Sequence, residues 1–132
     1  MKTRSTLVML FSMALVLVSF DHWQNDDWKV PEGAKKMKNP VQNDGEVMMI
    51  GKTLYAKHCK SCHGKNGEGD GPKADELDTF PGDFTAAAFQ KQTDGALFYK
   101  TSEGRDDMPG FKKKLPSDED RWIIVHYLRS LE

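Results

Sequence analysis

One short run constrains the fold of this chain more than any other: Cys59-Lys60-Ser61-Cys62-His63 holds both cysteines of its 132 residues. Two cysteines three residues apart cannot staple distant segments, so a disulfide framework is excluded. Yet the chain needs some such aid. Beyond residue 20, only 18 of 112 residues are Leu, Ile, Val or Phe, fewer than the roughly 20% found in chains that bury an ordinary core. Disorder pairs low hydrophobicity with high net charge, whereas here 17 Lys and Arg face 20 Asp and Glu over the same span. A compact domain this poor in aliphatics calls for an added apolar mass. The near-neutral balance also leaves no electrostatic footprint for nucleic acid.

The pattern from Asp44 onward is helical. Val47, Ile50, Gly51, Leu54 and Tyr55 form one apolar stripe with Asp44 as N-cap. A glycine on that stripe costs about 1 kcal/mol in propensity against Ala, which makes sense where another helix crosses closely. The C-terminal stretch supplies that helix. Ser117 and Asp120 resemble a capping box, and Ile124, Tyr127, Leu128 and Leu131 make a stripe that Trp122 and Val125 widen. Between them Thr93 or Asp94 caps a short helix over 96–102, stopped at Gly104. Segments 64–82 and 104–116 are rich in Gly and Pro and read as loops. No strand alternation stands out, so the domain is expected to be all-α, with long loops around something.

C-x-x-C-H identifies that something, because it is the attachment sequence of c-type haem. Two thiols on one helical turn reach the two vinyl groups of a single porphyrin and form thioethers. The adjoining His63 then presents a neutral imidazole to iron as proximal ligand. Other uses of such cysteines fit less well. A redox-active C-x-x-C opens a helix after a β-strand, whereas these cysteines close a helix that no strand precedes. Zinc needs a fourth ligand, and His22, His58 and His126 are scattered singly. A disulfide across two intervening residues would constrain little.

A haem that only carries electrons needs a sixth ligand. Met37 lies in a polar stretch, and Met48 and Met49 begin the helix that ends at the cysteines. Met108 follows His63 by 45 residues, on a loop long enough to reach the opposite face. Pro109 and Gly110 can hold its thioether in one direction. Met108 is the expected distal ligand, in keeping with His/Met ligation in cytochromes c.

Residues 1–20 carry Lys2 and Arg4, no acid, and an apolar run from Leu7 to Phe20 interrupted only by Ser12 and Ser19. That run matches a signal-peptide core and falls short of the roughly 20 residues needed to span a bilayer. An Ala-x-Ala-like cleavage site is missing. The leader is therefore read as either a cleaved signal peptide or an uncleaved N-terminal anchor, with membrane contact only in the second case. Both readings export the domain, to the periplasm in a bacterium. Residues 21–43 are polar, with Trp23, Trp28, Pro31 and Pro40 and no helical or strand period. They form either an extended tether or an arm whose Trp28 and Val30 lie across the domain or a partner.

Over residues 44–132 the chain closely resembles a class I (monohaem) cytochrome c. Gly51 and Tyr55 stand eight and four residues before Cys59, where that family keeps a Gly and an aromatic on its N-terminal helix. They look like the partners of Tyr127, with Trp122 one turn earlier, so the resemblance implies crossing N- and C-terminal helices. The run Gly64-Lys65-Asn66-Gly67-Glu68-Gly69-Asp70-Gly71-Pro72 is similar to the glycine-rich segment of bacterial members. There a Pro carbonyl accepts the proximal His Nδ1–H, a role the resemblance gives to Pro72. Met108-Pro109 matches the distal Met loop. Arg105 is a candidate contact for a haem propionate.

The resemblance implies an exported electron carrier with one covalent haem c, cycling Fe(III)/Fe(II). Its partners would be a quinol oxidoreductase on one side and a terminal oxidase or reductase on the other. Lys57, Lys60, Lys65 and Lys112 to Lys114 could ring the haem edge as docking charges. The rival reading is a haem c subunit of a larger membrane or periplasmic oxidoreductase. A second covalent haem is excluded by the single C-x-x-C-H. A gas-binding c′-type bundle carries its motif near the C-terminus, whereas 69 residues follow His63 here.

Overall fold

The computed structural model describes residues 28–132; the leader over 1–20 and the beginning of the arm, with Trp23, lie outside them. Helix α1 is a single turn, Glu32–Lys35, and is followed by α2 (Gly45–His58) and α3 (Lys60–His63). A 3-10 turn at Ala74–Glu76 leads to α4 (Ala87–Gln90), α5 (Asp94–Glu103) and α6 (Asp118–Arg129). The expected caps are in place. Asp44 Oδ1 accepts the Val47 N–H at 2.8 Å, Thr93 Oγ1 that of Ala96 at 3.2 Å, and Ser117 Oγ that of Asp120 at 3.4 Å. Each satisfies one of the N–H groups left over at a helix start. Among the described residues the only β-pairing is an isolated bridge between Arg105 and Met108. No helix there is long and apolar enough to cross a membrane.

Helix α2 crosses α6 at Gly51, where a Cβ would stand 2.9 Å from Tyr127 Cβ and 3.0 Å from the Ile123 carbonyl oxygen. One turn on, the Tyr55 ring meets that of Tyr127 at a centroid distance of 5.0 Å. The α2 stripe is narrower than its periodicity predicts: Gly51 and Tyr55 are buried, while Ile50 is exposed. Trp122 does not join this crossing. It stacks on Phe98 of α5, with ring centroids 4.0 Å apart and planes 11° from parallel. Five residues of helix separate Trp122 from Tyr127, about 140° around the axis, so the two rings face different neighbours. Helix α6 is accordingly buried from Arg121 to Val125, held between α2 and α5.

The described part of the arm lies on the domain. Asn39 Nδ2 donates to the Trp122 carbonyl at 3.0 Å, His126 Nε2 stands 2.7 Å from the Val41 carbonyl, and Val41 packs beside Leu97 and Val125. Arg129 closes the far end of α6 onto the start of α5, its Nε and Nη2 donating to Asp94 Oδ1 at 2.9 and 2.7 Å. These contacts leave one face of the helices to the loops, and there the site forms.

Candidate functional site

Helix α2 breaks at Cys59 and restarts as the single turn α3, so both cysteines and His63 share one turn. The Cys59 carbonyl accepts the N–H groups of Cys62 and His63 at 3.2 and 3.0 Å. The glycine-rich segment wraps this turn. Gly69 N donates to the His63 carbonyl, Gly71 N to that of Cys62 and Lys73 N to that of Ser61, at 3.0, 3.1 and 2.8 Å. Tyr55 Oη donates to the Gly64 carbonyl at 2.8 Å, so the helix crossing and the attachment turn are built on one another.

His63 is buried, 8% exposed, and burial lowers its pKa to about 4, leaving the imidazole neutral near pH 7. A neutral ring is what a metal ligand must be. Its Nδ1 is buried without a hydrogen-bond partner. The expected bond to the Pro72 carbonyl is not formed. The residues flanking Pro72 turn their N–H groups toward the motif, and Pro72 itself is exposed. The His63 ring instead lies on Phe84, with centroids 4.3 Å apart and planes at 25°. Burial, with the neighbouring Cys62, pushes the Cys59 thiol up to about 12. No group of three or more His, Cys, Asp or Glu gathers around a metal position among the described residues.

Across from the attachment turn stands the loop after α5. Arg105 and Met108 exchange backbone hydrogen bonds of 2.9 and 2.8 Å, Asp106 takes a left-handed conformation (φ 51°), and Phe111 N donates to the Thr101 carbonyl at 3.1 Å. Met108 is half-buried and packs, like Cys59, against the cluster of Tyr55, Phe84, Phe111 and Leu128. Between turn and loop lies a cavity of about 850 Å³, within the roughly 300–1,000 Å³ usual for cofactor sites. Cys59, Cys62, His63 and Met108 all line it, and Met37, Met48 and Met49 do not. His58 also lines it, while His126 is committed to the arm.

Arg105 lines the same cavity, its guanidinium 4.6 Å from the centroid of Trp28 and its Nε 3.2 Å from Asp106 Oδ2. Lys57, Lys60 and Lys65 are exposed near the attachment turn; beyond the Met loop Lys112 pairs with Glu103 and Lys114 lies over Phe111. Two residues escaped the sequence reading. Phe84 had a signal in its surroundings, since three of the five phenylalanines beyond residue 20 fall at 80, 84 and 89, outside any periodic helix. Asp107 had none. Its Oδ2 accepts the N–H groups of Asp78 and Thr79 at 2.9 and 3.3 Å.

The donor set fits a covalent haem: two cysteines on one turn, a buried neutral histidine with an orphaned ring nitrogen, and an apolar cavity over them. An all-α chain with this single site is a monohaem c-type cytochrome. Residues 46–128 match the family model described as cytochrome c oxidase, cbb3-type, subunit III, and the chain belongs to that family. It is similar to a chain of the Kuenenia stuttgartiensis reducing HAO-like protein complex Kustc0457/Kustc0458, at 31% identity and a TM-score of 0.64 over 72% of this chain. That match takes in 49% of the other protein, so this chain spans about half its length. It is also similar to the KustC0563 c-type cytochrome, at 31% identity and a TM-score of 0.54, over 62% of this chain and 96% of that one. No curated protein matches the chain. The cofactor is thus covalently bound haem c, and the domain is one that supports haem-based electron transfer.

Proposed function

We propose that this cytochrome is an exported single-electron carrier whose haem is ligated by His63 and Met108. The observation that carries this reading is the placement of Cys59, Cys62, His63 and Met108 on the walls of one cavity. When bound, the haem iron supplies one-electron exchange between Fe(III) and Fe(II). Cys59 and Cys62 hold the porphyrin edge, and His63 offers a nitrogen already neutral. Met108 would offer a soft thioether from the wall of the same cavity and would bar small ligands from the iron. Phe84, Leu97 and Leu128 exclude water, which favours the reduced state.

Partners are redox proteins, with a quinol oxidoreductase as donor and a terminal oxidase or reductase as acceptor; the exposed lysines at 57, 60 and 65 are the docking charges. Residues 1–20 take the domain to the periplasm, as a signal peptide or as a retained anchor. A second reading, a haem c subunit of a larger oxidoreductase, draws on the likeness to a protein of a reducing complex. Spectroscopy tests the ligation. The ferric protein should show the weak far-red sulfur-to-iron charge-transfer band, and the ferrous protein should not take up CO at neutral pH. Rapid, stoichiometric CO uptake would sink the Met108 assignment. Purification from native membranes separates the two readings: a free carrier elutes alone, a subunit with its complex.

A further inference from the structure

We propose that Phe84 is a positioning residue for the proximal ligand: its ring face, rather than a hydrogen bond, holds the His63 imidazole in one plane and keeps the Nδ1–H dry. The inference rests on the proposed ligation of iron by His63. The two rings lie with centroids 4.3 Å apart and planes at 25°, and His63 Nδ1 is buried with no hydrogen-bond partner. A histidine that ligates a metal ordinarily donates its other N–H to a carbonyl or carboxylate, which fixes the ring and raises its basicity. That second hold is missing from His63, and a phenyl face lies against the imidazole in its place.

A ring can orient another only if it is itself held, and Phe84 is held on several sides. Its N–H donates to the Gly67 carbonyl at 2.7 Å, and its own carbonyl accepts from Gln90 Nε2 at 2.7 Å. The same amide donates to the Leu128 carbonyl at 3.0 Å, which ties the backbone at 84 to α6. The Phe89 ring packs against that of Phe84, with centroids 4.5 Å apart and planes at 34°. A Cβ at Gly67 would stand 3.1 Å from Phe84 Cβ and 3.3 Å from its Cδ2, so a bare glycine lets the glycine-rich segment close on the ring. One residue to either side, Asp83 Oδ1 accepts the N–H and the hydroxyl of Thr85 at 2.8 and 2.7 Å. Phe84 is accordingly as buried as His63, each 8% exposed.

Two properties of the bound iron depend on such a contact. The plane of an axial imidazole sets which porphyrin orbitals share the unpaired electron of Fe(III), so a fixed ring gives one fixed pattern of haem-methyl hyperfine shifts. An Nδ1–H without an acceptor leaves the imidazole a weaker donor than a hydrogen-bonded one, which favours Fe(II) and raises the reduction potential.

Proton NMR of the ferric holoprotein reads the first property, and redox titration reads the second. Phe84→Leu keeps an apolar side chain but removes the flat face, and it should change the order or spread of the haem-methyl shifts. Phe84→Tyr keeps the ring and should retain the wild-type pattern. Phe84→Ala leaves room for water at Nδ1 and should also lower the potential; where it fails to fold, Phe84→Leu decides. Phe98→Leu removes an equally buried ring, one that stacks on Trp122 and does not line the cavity. It should leave both readouts unchanged. A methyl pattern unaltered in Phe84→Leu, or moved as far by Phe84→Tyr or Phe98→Leu, would overturn the proposal. A wild-type protein without hyperfine-shifted ring protons from His63 would instead overturn the ligation beneath it.

Discussion

Gly51 and Tyr127 touch backbone to side chain: a Cβ on Gly51 would begin 2.9 Å from the Cβ of Tyr127. Nothing on either side can swing away, because the second neighbour is the Ile123 carbonyl at 3.0 Å. This crossing sets the angle at which α2 leaves α6. It therefore sets where the attachment turn at the end of α2 stands relative to the Met108 loop.

Adding a side chain there must push the helices apart. Gly51→Val should destabilise the holoprotein by about 1–3 kcal/mol through overpacking, measured by thermal or denaturant unfolding, while haem attachment persists. Melting indistinguishable from the parent would show that the helices do not cross closely at this position.

Asp107 ties the Met108 loop to residues 78 and 79 through its carboxylate. Asp107→Ala removes the acceptor, a loss of about 1 kcal/mol for such a bond, so the loop should open about fivefold more often. The readout is faster CO binding to the ferrous protein with a weaker far-red band. Asp107→Asn keeps an acceptor oxygen and should behave like wild type. Equal CO kinetics in the Ala variant would remove Asp107 from the positioning of Met108.

Met108 is the methionine on the cavity wall. Met108→Ala should abolish the far-red band, open iron to CO and peroxide, and lower the reduction potential, since axial ligands tune haem potentials over roughly 0.8 V. Met48→Ala and Met49→Ala, on the first turns of α2, should change none of these. A band that survives Met108→Ala would point to a different sixth ligand.

Covalent attachment is tested by replacing Cys59 and Cys62 together with Ser. The parent should keep its haem through acid-acetone extraction and stain for haem peroxidase on a denaturing gel. The double variant should lose the stain and fold poorly, because the cavity of about 850 Å³ sits inside the main apolar cluster. A well-folded, colourless double variant would show that the helices need no haem to pack.

Export is checked by intact mass. Loss of about 18–22 residues, the end of the apolar run, plus one haem marks a cleaved signal peptide. A full-length mass in the membrane fraction marks an anchor.

What the sequence determined by itself was local chemistry. Cys59, Cys62 and His63 announce the cofactor because thioether spacing and a neighbouring imidazole are properties of five consecutive residues. Asp44, Thr93 and Ser117 mark helix starts because a cap needs only its own first turn. Gly51 betrays a crossing because a glycine on an apolar stripe is costly unless a backbone comes close. Contacts between segments far apart in the chain were decided by the tertiary structure. Trp122 turns to Phe98 rather than to Gly51 and Tyr55, since α6 has neighbours on two sides and periodicity does not say which side a ring serves. Phe84 rather than Pro72 meets the His63 ring, and Asp107 reaches Thr79, through loops with no repeating geometry. The described part of the arm, polar and aperiodic, lies on α5 and α6 through two side-chain-to-backbone hydrogen bonds and one bare glycine. Such contacts depend on where the helices have already placed their surfaces, and no local pattern encodes that.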